Sequence, residues 1–451
     1  MDLEICYIWI DSLCIIQDDK DDWGAEAPRM AEIYSNAHVN LAASASRSDS
    51  GGLLRPFDRC LVSPLIFRIV DETGADQNFK VERDENFGTY VNDAPLNSRA
   101  WVFQERALSR RILHFANDQI YWQCPSKVDA QFDIRTDIMD KIIGNPWQAM
   151  QQWNTTPATN RELEGDILDD ERLGLAHGQP YEHPLLSKWD DIVQAYSKCD
   201  LTFTSDKLIA VAGLAKQIQR LTNWPDTDYF AGLWRHGFER RLLWGRLGPS
   251  KYPPNFAVPS WSWAHINSEI IWPPMIWTDK RNSTGRILVE LLSASTTPEN
   301  TALGSVKGGA IQLRGLLCQM NLRRSPWEDW HPAGKVRLRN KWFDLKDLEA
   351  DFDLATSMWG VLGRKIFFLP ILDKLFISPD DAKFPGRRTR SLYGLMLEPT
   401  SRKDGQYRRV GTLIIEEDAY DLVQLGLSSS SLDKKYIIEA DTNNNYVFEI
   451  I

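Results

Sequence analysis

The chain has 451 residues and a formal net charge of −10, with 43% hydrophobic and 25% charged residues, as is typical of globular proteins. The acidic balance argues against nucleic-acid binding, which needs an excess of Lys and Arg, and no apolar run approaches the roughly 18 residues of a membrane span. Six widely spaced cysteines without a C-x-x-C pair, and a start that lacks a signal peptide, predict a cytoplasmic protein with reduced thiols.

The first predicted element is a strand over residues 5–10, ICYIWI, whose continuous apolar run is typical of a central parallel strand buried on both faces. Asp11 follows it, at the carboxyl end where open α/β sheets bind ligands. A helical stripe then runs from Trp23 to Tyr34, although Pro28 is unfavourable inside a helix. The acids at 18–22 before it are expected to complement the helix start, with a cation site as the alternative.

Residues 37–45 predict a second short strand, so that strand, helix and strand form a βαβ unit with a parallel sheet.

The next helix is expected to start at Ser98 as N-cap and to place Trp101, Glu105 and Leu108 on one face. A carboxylate on an apolar face needs a partner or a function. Glu105 therefore forms an ion pair with one of its neighbouring arginines (Arg99, Arg110 and Arg111), lies at the edge of the apolar stripe, or is an acid positioned in a cleft. A β-hairpin over 111–124 follows.

The remainder predicts a helical middle and a β-rich end. Helical patterns cover 185–199, 203–221 and 226–245, the last with an aromatic stripe. From about residue 285 the pattern is mainly that of strands, with a brief helical stretch at 345–357. We expect three regions, namely residues 1–125, a Trp-rich region over 126–284 and a β-rich module over 285–451.

Tryptophan is unusually abundant: 14 of the 18 tryptophans lie after residue 125. The segment PSWSWA predicts a strand that places Trp261 and Trp263 on one face. Exposure of these indoles together with Trp234 would favour a partner surface, whereas burial would make them core residues.

Common catalytic and metal-binding motifs are absent from the sequence. It contains no G-x-G-x-x-G, no Walker A loop, no H-E-x-x-H and no G-x-S-x-G, and the seven histidines are scattered. No metal site is predicted. A catalytic triad assembled from residues distant in sequence stays open.

Two blocks of the sequence resemble the fungal heterokaryon incompatibility (HET) domain. The first block carries its pattern of W-I-D, C-I-x-Q and M-x-x-I-Y-x-x-A, and the second carries R-x-W-x-x-Q-E-x-x-L-S. The matching residues are Trp9, Ile10, Asp11, Cys14, Ile15, Gln17, Met30, Ile33, Tyr34 and Ala37, followed by Arg99, Trp101, Gln104, Glu105, Leu108 and Ser109.

The resemblance implies an α/β fold of the TIR or flavodoxin-like type at the N-terminus, within an α+β chain. It implies a non-self recognition effector that triggers programmed cell death through protein partners or self-association. An alternative is a TIR-like NAD glycohydrolase, with NAD as substrate and no other cofactor, and a second is a non-enzymatic interaction scaffold. In the enzyme, Glu105 would stabilise the ribosyl transition state or contact the ribose hydroxyls. Asp11 would orient the ligand and Trp101 would support Glu105. The resemblance adds five binding or motif residues, which are Trp9, Cys14, Gln17, Arg99 and Gln104.

One feature of the family is missing here. Its members open with an A-L-S-Y-x-W-G strand and loop, well before the W-I-D segment, whereas here only a few residues precede Trp9. We therefore expect an incomplete central sheet and a weak or inactive effector.

Overall fold

The computed structural model describes residues 4–54, 65–70, 76–81, 87–131, 183–248, 257–272, 283–299, 303–324, 334–338, 341–350, 364–377, 388–418, 432–440 and 445–451. The chain divides into two compact units. The first comprises Met1–Thr159 and Lys198–Leu221, and the second comprises Asn160–Ser197 and Thr222–Ile451.

The described α-helices are α1 (Asp11–Cys14), α2 (Lys20–Glu26), α3 (Met30–Asn36), α4 (Ala100–Leu108), α5 (Pro184–Tyr196), α6 (Ile209–Thr222) and α7 (Phe238–Arg241). The strands up to residue 271 are β1 (Asn40–Ala42), β2 (Leu65–Val70), β3 (Asp76–Val81), β4 (Ile112–Phe115), β5 (Ile120–Cys124), β6 (Lys127–Ala130), β7 (Tyr229–Phe230), β8 (Leu233–Trp234), β9 (Gly245–Leu247) and β10 (Glu269–Ile271). The later strands are β11 (Ser283–Ile287), β12 (Val289–Pro298), β13 (Val306–Gly315), β14 (Cys318–Arg324), β15 (Gly334–Leu338), β16 (Lys341–Ala350), β17 (Ile366–Ile377), β18 (Arg388–Pro399), β19 (Gln406–Asp418), β20 (Glu439–Ala440) and β21 (Tyr446–Ile450).

The predicted helix after the acidic cluster is present but interrupted. Asp19 caps α2 by accepting hydrogen bonds from the backbone N–H groups of Asp21 and Asp22, so the acids do complement the helix start. A 3₁₀ turn at Ala27–Arg29, which contains Pro28, separates α2 from α3. The proline ring cannot donate the N–H that a continuous α-helix needs.

The first unit contains a mixed sheet with strand order β1-β4-β5-β6. β1 and β4 are parallel, in the register Asn40 to Ile112, and the predicted hairpin is confirmed as the antiparallel pair β4 and β5. A short strand within residues 37–45 is confirmed as β1, but the predicted βαβ unit is wrong, because residues 5–10 form no strand and the parallel neighbour of β1 is β4. The predicted order of an α/β start, helices and a β-rich end is confirmed as α+β, while the TIR-like topology stays a prediction.

The strand predicted over residues 5–10 is wrong. This segment has no regular secondary structure, and Tyr7 and Ile8 are 92% and 72% exposed. A central parallel strand needs neighbours on both edges and layers on both faces. An apolar run alone cannot show whether those neighbours exist, and within the described residues none pairs with this segment.

The second unit has a core of buried indoles. Trp189, Trp234 and Trp261 are fully buried, as are Trp244 and Trp263. The Trp189 and Trp263 indole N–H groups both donate to the Gly232 carbonyl, at 2.9 Å each. Burial makes Trp234, Trp261 and Trp263 core residues, so a tryptophan partner surface formed by these three indoles is excluded.

Two local predictions for this unit are wrong. Residues 226–245 do not form one helix, because a tight turn at Ala231–Gly232 with positive φ joins β7 to β8 before the short helix α7. PSWSWA is a turn rather than a strand, and Ser262 caps a 3₁₀ turn at Trp263–His265. The helix predicted over 185–199 is confirmed as α5, and the one over 203–221 as α6 behind a 3₁₀ turn.

The β-rich module contains a closed ring of strands. The antiparallel pairings run β14-β15-β16-β19-β18-β17 and return from β17 to β14. Closure leaves these strands with few free edges, which limits edge-to-edge association. The helical stretch predicted at 345–357 is wrong for residues 345–350, which belong to β16, and its remainder lies outside the described residues.

Two buried guanidinium groups stabilise the second unit. Arg241 forms a bidentate pair with Asp190, with N···O distances of 3.0 and 2.8 Å, and both side chains are almost fully buried. Arg409 donates to the carbonyl oxygens of Leu242 and Trp244 and stacks 3.3 Å from the centre of the Trp244 ring.

Asp190→Ala should leave the Arg241 charge buried without its carboxylate. We expect a loss of about 3–5 kcal/mol in the free energy of unfolding, because an uncompensated buried charge is far more costly than a missing surface pair. Urea denaturation followed by tryptophan fluorescence measures it. The control is Glu290→Ala, which removes an exposed partner of Arg314 and should cost less than about 1 kcal/mol. Equal losses in the two variants would contradict the prediction.

Candidate functional site

The candidate site is built on α4, where three consecutive residues carry polar side chains into the protein interior. Gln104 and Arg106 are 2% exposed, and Glu105 is partly exposed. The helix starts after Arg99, and the Ala100 N–H donates to the backbone carbonyl of Asp200 at 3.0 Å. Ser98 is therefore not the N-cap, because it ends a preceding 3₁₀ turn and its hydroxyl donates to the Pro95 carbonyl.

Glu105 faces α3, which packs against α4. The Tyr34 hydroxyl donates a hydrogen bond to the Glu105 carboxylate. Burial raises the pKa of Glu105 to about 7, and the negative charge of Asp11 raises it further, whereas the Tyr34 hydrogen bond and Arg99 lower it. The carboxyl group is therefore poised to exchange a proton near neutral pH.

Asp11 and Arg99, both predicted site residues, act on Glu105 through their charges and in opposite directions. The pKa of Tyr34 is raised, mainly by burial and by the neighbouring Glu105 carboxylate. The structure thus brings the predicted residues Glu105, Asp11 and Arg99 together around Tyr34. Glu105 therefore has a hydrogen-bond partner in Tyr34 and the positive charge of Arg99 nearby, and its role as a positioned acid stays a prediction.

Aromatic rings flank this group. Trp9 meets the Tyr34 ring edge-on, with ring centroids 5.7 Å apart, and Trp101 meets Trp23 in the same manner at 6.2 Å. The Trp101 side chain also hydrogen-bonds to Asp206. Trp101 lies one helical turn before Glu105, as the spacing predicts, and its indole is held on two sides.

The other predicted residues have local structural contacts. The Gln104 side-chain oxygen accepts the Gly213 backbone N–H at 2.7 Å, which ties α4 to α6. The Gln17 amide donates to the carbonyl oxygens of Asp11 and Ile15 at 3.1 and 2.9 Å and so fixes the turn that carries Asp11. Cys14 is exposed on α1. No cluster of three or more potential metal ligands occurs within the part of the chain that the structure describes.

Sequence reasoning missed Tyr34 as a site residue, although it belongs to the quoted motif.

It also missed a buried polar chain on another side of α4. Arg106 donates to the Gln123 side-chain oxygen at 3.2 Å and to Asn92 at 2.7 Å. His114 Nε2 lies 2.8 Å from the same Gln123 oxygen, and His114 Nδ1 lies 3.2 Å from the Ser44 hydroxyl.

The Gln123 oxygen must be an acceptor, because Arg106 can only donate. His114 Nε2 therefore carries the proton, and Ser44 donates to Nδ1. Burial lowers the pKa of His114 to about 3, and nearby Arg106 lowers it too, so the ring is neutral and its tautomer is defined by its partners. Only the fold places these residues together, so no sequence signal indicated them.

Residues 1–105 match the family model of the heterokaryon incompatibility protein (HET). The matched range includes every predicted site residue and ends at Glu105. The chain is therefore a HET domain-containing protein. No curated protein and no solved structure matches it. No helix in the described ranges is long and apolar enough to cross a membrane.

Glu105→Gln should change how stability depends on pH. The folded pKa of about 7 lies above the usual glutamate value of 4.5, so between these two pH values the native state keeps a proton that the unfolded chain has released. The protonated Glu105 makes its full contribution to the free energy of unfolding below pH 4.5, and this contribution is lost as the pH rises through 7. We expect the free energy of unfolding of Glu105→Gln, relative to that of wild type, to increase by about 2–3 kcal/mol from pH 4 to pH 8.

Denaturant unfolding at several pH values measures this difference. Glu32→Gln is the matched control, because Glu32 is an exposed glutamate on α3 of the same unit. A stability difference between wild type and Glu105→Gln that stays constant from pH 4 to pH 8 would contradict the prediction.

Proposed function

We propose that this protein is a cytoplasmic effector of non-self recognition whose HET domain triggers programmed cell death. The observation that carries the proposal is the family match over residues 1–105. It is supported by Glu105, which lies in the matched range and whose pKa is raised to about 7. Within the described residues, no cluster of metal ligands includes this glutamate. Perturbed acids of this kind cluster at functional sites.

Induced expression of the full chain in fungal cells tests the proposal. Wild type and the control Glu32→Gln should kill the same fraction of cells, which should exceed that in cells without the protein but stay small, as expected of a weak effector; uptake of a vital dye measures it. Gly213→Ala should abolish killing, because a methyl group there would collide with the Ala31 side chain and the Gln104 amide and would displace α4. Full viability despite accumulation of folded wild-type protein would contradict the proposal.

A second candidate function is hydrolysis of NAD at its glycosidic bond, favoured by the placement of Glu105. An ionised carboxylate stabilises the positive charge that develops on a ribosyl ring, and it can accept the proton of an attacking water. The water oxygen bonds to C1′ of the ribose, the C1′–N bond breaks with its electron pair going to nicotinamide, and Glu105 takes the proton. Asp11 orients the ligand, and Trp101 supports Glu105.

The reaction should follow the ionisation of Glu105, so its rate should rise with pH through about 7. Tyr34→Phe removes a hydrogen bond that lowers the Glu105 pKa and should move the profile to higher pH. Asp11→Asn removes a negative charge and should move the profile to lower pH. The measurement is nicotinamide release by the purified full chain.

Glu105→Gln should reduce that release by about 10²–10⁴-fold, whereas Glu32→Gln should leave it unchanged. NAD consumption that survives in Glu105→Gln would remove Glu105 from the mechanism. The absence of any NAD consumption, together with killing of cells by the same chain, would favour an effector that acts through protein assembly.

A further inference from the structure

A cleft lies where the parallel strands β1 and β4 end. The segment after β1 and the turn after β4 line a cleft of about 380 Å³, together with residues of the π-helical turn Gly88–Asn92 and the residues just after it. The carboxyl ends of neighbouring parallel strands are the usual ligand position in open α/β sheets. The volume lies within the range of small-molecule sites.

The rim of the cleft carries groups of opposite charge. Arg47 and Asp93 both line it and are exposed, and neither forms an ion pair with another described residue. The partly exposed Tyr90 contributes an aromatic ring, and Ser48, Thr89 and Asn117 contribute polar side chains. The site therefore offers one guanidinium fork, one carboxylate and an aromatic surface within a single small cleft.

The walls of the cleft are held by buried contacts. The Ala45 N–H donates to the Phe115 carbonyl at 3.1 Å and so joins the loop after β1 to the end of β4. The chain of buried polar side chains from Ser44 through His114, Gln123 and Arg106 reaches Asn92 in the π-helical turn. All three segments that line the cleft are thereby fixed to one another, which lowers the entropy cost of ordering them around a ligand.

We propose that this cleft binds a small phosphorylated sugar or nucleotide. The planar guanidinium of Arg47 matches the oxygens of a phosphate group, which it can bind with two parallel hydrogen bonds. Asp93 accepts hydrogen bonds from the sugar hydroxyls, as acidic residues do with ribose in dinucleotide sites. The Tyr90 ring packs against the sugar or base.

The proposal does not rest on the proposed function. Glu105, Tyr34 and Asp11 do not line the cleft. Arg106, the residue after Glu105, belongs instead to the polar chain that joins the segments lining the cleft.

Calorimetric titration of the full chain with ribose 5-phosphate, AMP and inorganic phosphate tests the proposal. We expect one of the two sugar phosphates to bind with a Kd below about 1 mM. Arg47→Ala should weaken this binding about tenfold or more, since a charge-assisted hydrogen bond is lost, and Asp93→Asn should weaken it less. Arg220→Ala, which removes an exposed arginine from α6 of the same unit, is the control and should bind as wild type does.

Tighter binding of AMP than of ribose 5-phosphate would identify a nucleotide site, and equal binding would identify a sugar phosphate site. The proposal is overturned if neither compound binds, or if Arg47→Ala binds as well as Arg220→Ala. It is also overturned if inorganic phosphate binds as tightly as the sugar phosphates. Binding of glutamine in their place would overturn it too, because the charged ends of this zwitterion would simply pair with Arg47 and Asp93.

Discussion

The first unit depends on how α4 holds two adjacent charged side chains, one buried and one partly exposed, against the protein interior. Glu105 and Arg106 follow each other in the sequence, so the helix turns them toward different neighbours about 100° apart. An isolated buried charge is too costly to persist, and each therefore requires its own partner. Tyr34 on α3 supplies one, and Gln123 on β5 with Asn92 supplies the other. These two requirements fix the packing of α3, of the sheet and of the π-helical turn around one short helix.

The same arrangement gives α4 two chemically different sides. On the Glu105 side, burial and Asp11 hold a carboxyl group close to half-protonated at neutral pH, where it can act as an acid or a base. On the Arg106 side, the neutral His114 and its hydrogen-bond partners support the sheet and the π-helical turn. Neither His114 nor Arg106 titrates near pH 7. One side is suited to proton chemistry, and the other is suited to holding a preformed cleft.

The sequence could predict the elements whose signal is local. The stripe Leu185, Trp189 and Tyr196 predicted α5, and the turn at Ala116–Asp118 predicted the hairpin of β4 and β5. It failed where the outcome depends on distant partners. Residues 5–10 have the composition of a buried strand but find no described neighbour, and the aromatic stripe at 230–238 is overridden by the turn at Gly232. Glu105 could be predicted as an acid that needs a partner, but Tyr34 and the chain to Arg106 required the fold.

The central claim is that the fold holds the Glu105 carboxyl group near neutrality. The direct test is an NMR pH titration of the full chain with ¹³C-labelled glutamate, in which Glu105→Gln identifies the resonance of the Glu105 carboxyl carbon. The account predicts a midpoint of about 7. A midpoint near the usual glutamate value of 4.5 would contradict it.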